Sequence, residues 1–166
     1  SEESQARALA IFQGGNAVFT LAQYSQALEH YRKAVALWNH PTIRFNIAVC
    51  LIHLGQTLEA NENLDEALKS FRGSLVIRER LVKADPGNAE WQQDLMVSHN
   101  KIGGVLRDQG KEGSALESYR AVLSIAERLA RSDPSRVDWQ IDLSAAHRTI
   151  GDQLLRQGNL SFALGR

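Results

Sequence analysis

Five histidines and one cysteine, Cys50, are the residues with which this 166-residue chain could hold a transition metal. A structural zinc ion takes four such ligands, usually set in close pairs along the chain. The sequence is read as offering no zinc-type pairing at helical spacing, so no metal and no cofactor is expected. His99 and His147 lie 48 residues apart and repeat a slot expected to be packed. Cys50 falls within the apolar stretch IAVCLIHLG (47–55), where a buried, inert thiol is expected.

Catalysis asks for more than reactive residue types. A nucleophile needs a base within reach and a donor for the developing oxyanion. Serines, histidines and carboxylates are present, but no spacing singles out a triad. The glycine clusters QGGN and GGVLRDQG lack the preceding strand and the following Gly-Lys-Ser/Thr of a phosphate loop. The chain is therefore expected not to be an enzyme.

Charge narrows the partners. Lysine plus arginine and aspartate plus glutamate number 19 each, a formal net charge of zero. Nucleic acid or an anionic membrane surface would call for a basic excess, so neither is expected. No apolar run approaches the roughly 20 residues that span a bilayer. The polar N-terminal SEESQARA is not expected to act as a signal peptide. With one cysteine and no intramolecular disulfide, a cytoplasmic address is the expectation.

What would position a binding surface is a repeat. EWQQDLMVSHNKIGGVLRDQG (90–110) returns 48 residues later as DWQIDLSAAHRTIGDQLLRQG (138–158), with 10 of 21 positions identical. Glycines at 55, 103 and 151 and alanines at 67, 115 and 163 keep the same period, and Gly15 and Ala27 begin the series 40 residues earlier. Four residues after the alanine comes an aromatic: Tyr31, Phe71 and Tyr119. Apolar residues recur at spacings of three and four, the signature of amphipathic helices. WNHPT (38–42), KADPGN (83–88) and SDPS (132–135) stop helices, because proline cannot continue one and biases its predecessor away from one. Gly110 is expected to take the left-handed conformation at the turn in DQGKEG (108–113).

Each unit thus reads as two antiparallel helices, brought close where a glycine faces an alanine, with a large aromatic filling the space one turn on. A lone hairpin cannot cover its apolar faces, and stacking the next one does. The expected fold is all-α, a right-handed superhelical solenoid of about four hairpins. It forms one domain over 1–166, with units at about 5–39, 41–86, 89–134 and 137–166. The second unit also fits a short register that turns at Gly55; the long register, turning at NEN (61–63), keeps phase with the later units. The last turn is expected before LSFALGR (160–166), leaving an apolar edge of Leu154, Leu160 and Phe162. Either more chain or a second copy, as a homo-oligomer, would cover that edge. Trp91 and Trp139 are expected to pack between consecutive units rather than to stack a ligand.

This pattern of apolar-Gly, Ala, aromatic and Pro, in HNKIGGVL…ALESY…DP and LIHLGQTL…ALKSF…DP, resembles the tetratricopeptide repeat. The resemblance covers about residues 5–166. The long period looks like the kinesin-light-chain-like repeats of bacterial multidomain proteins. The slot where the family prefers Trp holds Ile11, Leu51, His99 and His147 here.

The resemblance implies a protein or peptide partner in a concave groove lined by first helices. Carried over, partner-facing positions include His53 and Gln56 in the second unit. The third supplies Asn100, Lys101 and Arg107, and the fourth Arg148, Asp152 and Arg156. Lys101, Arg107, Arg148 and Arg156 suit an acidic segment or a C-terminal carboxylate. Asn100 can both donate to and accept from a peptide backbone. The Lys/Asn clamp of chaperone-binding members is not reproduced, so chaperone tails are not expected. A regulatory or oligomerisation arm of a larger bacterial signalling enzyme, or a signal-peptide sensor, are the competing roles.

Overall fold

The structure, a computed structural model, describes residues 1–163, with side chains through residue 159. Leu160 and Phe162, two of the expected edge residues, lie outside the described side chains. All regular structure among the described residues is helical: α1 (Glu2–Thr20), α2 (Tyr24–Leu37), α3 (Pro41–Ala60), α4 (Leu64–Ala84), α5 (Ala89–Asp108), α6 (Glu112–Ser132) and α7 (Val137–Ala163). No helix among the described residues is long and apolar enough to cross a membrane.

Helix ends fall where the local chemistry puts them. Pro41 sits at the start of α3, where its missing N–H costs nothing, and His40 Nδ1 accepts from the Thr42 N–H. Asn88 caps α5 by accepting from the Trp91 N–H at 3.0 Å. Asp133 ends α6 and holds Ser135 through its backbone N–H and its hydroxyl.

The turns within hairpins share one geometry. Lys111 N–H donates to the Leu106 carbonyl, Asn63 N–H to Leu58 and Gln23 N–H to Val18, each reaching back five residues. That closure needs one left-handed residue. Gly110 supplies it at φ 74°, as the sequence leads one to expect, but Ala22 (58°) and Glu62 (60°) hold the same place in the earlier hairpins. The second hairpin turns at Asn61–Asn63, which is the long register. A side chain in this region costs about 1–2 kcal/mol. Glu62→Gly should therefore raise stability by about 0.5–1 kcal/mol after glycine's own entropy cost. The check is a higher urea midpoint at unchanged denaturant slope.

By internal contacts the chain divides into two compact units, Ser1–Asp85 and Pro86–Arg166. In the first, α1 packs on α2, α2 on α3 and α3 on α4. Its core gathers Ala27, Tyr31, Ala34, Ile43, Ile47 and Cys50, with Phe12 against Tyr31 at 5.4 Å between ring centroids. Tyr31 donates its hydroxyl to Asn16 at 2.7 Å, and Ser74 donates to the Ala48 carbonyl at 3.0 Å, so these two hydroxyls are matched. In the second unit α5 packs on α6 and α6 on α7.

The repeated glycines seat the repeated aromatics. A Cβ on Gly15, Gly55 or Gly103 would collide with the ring of Tyr31, Phe71 or Tyr119, respectively. Each ring lies on the facing helix and is buried.

Two expectations are corrected. The chain does not turn near Gly158: α7 continues through it to Ala163. At Gly110 the turn is locked by α6 packing back on α5. No second helix packs back on α7 among the described residues, and propagating a helix adds a hydrogen bond per residue. For the same reason His147, expected to be packed, is exposed.

Candidate functional site

The first helices of the hairpins carry the expected partner-facing residues, and the structure treats these unequally. In the first unit His53 is a packing residue. Its ring stacks on Tyr24 at 4.3 Å and 5° between planes, with Phe19 edge-on at 5.9 Å. Desolvation there lowers its pKa below the usual histidine range. Gln56, one turn on, is exposed. Cys50 and His53 lie one helical turn apart, a pairing that escapes notice in the sequence. Cys50 is fully buried, and burial pushes its thiol up to about 11, so the uncomplexed thiol is protonated at neutral pH. No cluster of three or more metal-ligating side chains exists among the described residues.

In the second unit α5 and α7 line a small cleft of about 80 Å³. Asn100 of α5 and Asp142 and Thr149 of α7 supply its polar atoms, over a floor that includes Met96, Ala145 and Ala146. Gln93 reaches Asp142 at 3.5 Å across the same seam. Beside it a shallow groove of about 470 Å³ runs along α7 past Val137, Ile141, Ser144 and Arg148.

The four cations differ in how free they are. Arg107 pairs with its neighbour Asp108 at 3.2 Å. Arg156 pairs with Glu112 at 3.0 Å. Lys101 is half-buried and already engaged by neighbouring groups. Arg148 is exposed, and among the described residues it makes no ion pair or hydrogen bond. Asp152 is exposed on the same helix.

The residues that fasten α7 are ones the sequence does not announce. Gln153 is 1% exposed; its side-chain amide donates to the Glu112 carboxylate and to the Glu112 backbone carbonyl. One signal was available: Gln153 stands 48 residues after Val105, a fully buried position, so a polar group in that slot had to find a partner. Glu112 opens α6, where the helix dipole favours an anion. The Arg156 guanidinium, and then the Gln153 amide, hold the Glu112 carboxyl below the ordinary glutamate range. A depressed acid contributes its stability above its unfolded pKa and loses it as pH falls through the folded one. Hydrogen exchange of α7 amides is thus expected to quicken, relative to α5 amides, as pH drops below about 4. Glu112→Gln should remove that pH dependence.

Trp139 is buried at 7% exposure, with the Arg136 guanidinium 4.4 Å above its ring. Trp91, at the equivalent place on α5, is half-buried.

Helices paired through glycine seats and repeated in register define a class of protein, the helical-hairpin repeat. Residues 47–86, the α3–α4 hairpin, match the family model described as "Tetratricopeptide repeat", so the match covers this one hairpin. No curated protein sequence matches it significantly. Among solved structures it resembles the yeast histone chaperone Hif1, described as a scaffold protein recruiting protein complexes to core histones. The TM-score is 0.58 at 17% identity, over 80% of this chain and 55% of that one. The chain thus spans about half the length of that structure. It also aligns with the Sgt2 tetratricopeptide repeat domain from Aspergillus fumigatus at 16% identity and a TM-score of 0.43, over 88% of this chain and 80% of that one. At these identities the likeness is one of fold.

Proposed function

We propose that the chain is a non-catalytic protein-interaction scaffold that takes an extended, acidic segment of a partner along α5 and α7. The family supports the scaffold role, as does a structural neighbour described as a scaffold protein. The observation that carries the binding mode is the pairing of the Asn100–Asp142–Thr149 cleft with the uncommitted Arg148 beside it. The amide and hydroxyl can bond a peptide backbone, and the guanidinium can take a carboxylate in bidentate fashion. Stacked repeats hold these groups on rigid helices, which cuts the ordering cost of binding.

The test is a display selection of short extended peptides on the isolated chain, followed by amide chemical-shift mapping with the best binder. Acidic sequences should be enriched, shifts should cluster at Asn100, Ala145, Arg148 and Thr149, and Arg148→Glu should weaken binding at least tenfold. Peptides that bind wild type and Arg148→Glu alike would reject this groove.

A further inference from the structure

α2 is 14 residues long, whereas α4 and α6 each run for 21, about two turns more. The chain leaves α2 at Trp38 in an extended conformation and enters α3 at Pro41. This short return sets α3 higher on α1 than α7 sits on α5. Asn46, nine residues before Gly55, donates to Asn16, one residue past Gly15. Asp142, nine before Gly151, is met instead by Gln93, ten before Gly103. So α3 begins part-way along α1, and a pocket of about 200 Å³ opens at its first turn.

Leu9 and Phe12 of α1 and Ile43 of α3 wall this pocket. Trp38 and His40, 4.5 Å apart between ring centroids, add two more rings. An apolar cavity of about 150 Å³ is enough to hold benzene. His40 and Thr42 supply the polar atoms, and no carboxylate lines the pocket. His40 Nδ1 accepts from the Thr42 N–H at 3.3 Å, so the neutral ring carries its proton on Nε2. That N–H and the Thr42 hydroxyl make no hydrogen bond among the described residues. Two open donors beside apolar and aromatic walls suit a flat ring that carries an oxyanion.

The pocket is built from three consecutive elements inside one unit, and the proposed peptide site belongs to the other. Nor does it depend on what precedes α1. A hairpin docked there as α3 docks would take Ala6, Ala10 and Gln13, the slots that Asn46, Cys50 and His53 hold on α3.

We infer that this pocket binds a small aromatic carboxylate, its ring against Phe12 and Trp38 and its oxygens on His40 Nε2 and the Thr42 hydroxyl. The test is amide chemical-shift titration of the chain with benzoate, beside toluene and N-acetylphenylalanine amide. Benzoate should shift Leu9, Phe12, Trp38 and Ile43 saturably. Toluene should bind about tenfold more weakly, for want of a hydrogen bond to a charged group.

Two variants locate the site. Leu9 is 46% exposed, so Leu9→Trp is expected to fold and to plug the pocket, which abolishes binding of both probes. Thr42→Trp, at another exposed position, plugs it from the α3 side if Leu9→Trp does not fold. His40→Asp keeps an oxygen to cap α3 but sets an anion beside the carboxylate, so benzoate binding should be lost and toluene binding kept. The inference fails if benzoate gives no saturable shift, or binds the plugged variant or His40→Asp as it binds wild type. It fails equally if N-acetylphenylalanine amide binds as tightly as benzoate, since the occupant would then be a partner's side chain.

Discussion

Truncating Trp139 to alanine is expected to cost about 3–5 kcal/mol of stability and to release α7 ahead of the rest of its unit. The indole is 7% exposed near the start of a helix whose far face is open to solvent. Its neighbour Gln140 donates to the Ala130 carbonyl at 3.2 Å, so the first turn of α7 is tied to the end of α6 just where the ring is seated. Removing the ring leaves a cavity under that tie. Trp139→Phe should lose far less. It keeps most of the apolar contact and deletes an indole Nε1–H that is buried with no hydrogen-bond partner. Trp91→Ala should also lose less, because that ring is only half-buried. Thermal melts by circular dichroism rank the three variants, and hydrogen exchange shows whether α7 opens first. An unchanged midpoint for Trp139→Ala would mean that the ring adds nothing to the docking of α7.

Local chemistry was readable in the sequence, and cross-helix chemistry was not. The hairpins, the long register of the second one and the left-handed Gly110 all follow from spacing, because a turn or a glycine seat repeats with the chain. Ala22 and Glu62 were not readable as left-handed residues, since their backbones are set by the turn hydrogen bonds and not by their own preference. Glu112 and Gln153 meet across 41 residues, which no periodicity reveals. The four cations were legible as a stripe, but their pairing was not: Arg156 is held by Glu112, and Arg107 by Asp108. His53 had the right position for a groove and the wrong neighbours, because Phe19 and Tyr24 close over it. The continuity of α7 past Gly158 has the same origin. A glycine permits a turn, and only packing from a second helix enforces it.

Two adjacent glycines should respond in opposite senses. Gly103→Ala is expected to destabilise by about 1–3 kcal/mol. Gly104→Ala should stabilise by up to about 1 kcal/mol. Both sit inside α5, where alanine is the better helix former, so propensity favours both changes equally. The difference is what the new methyl meets. On Gly103 it would lie 2.6 Å from Cε1 of Tyr119, a ring only 4% exposed and walled in. On Gly104 nothing stands within 4 Å. Gly151 adds the decisive comparison. It holds the motif position of Gly103 in the next repeat, yet no atom lies within 4 Å of its would-be Cβ, since no ring is seated there among the described residues. If the glycine recurs because an aromatic must press against it, Gly151→Ala should behave like Gly104→Ala and raise the melting midpoint. If Gly151→Ala lowers the midpoint as Gly103→Ala does, the glycine serves the helix backbone itself, and the ring seat is not what holds the repeat in register.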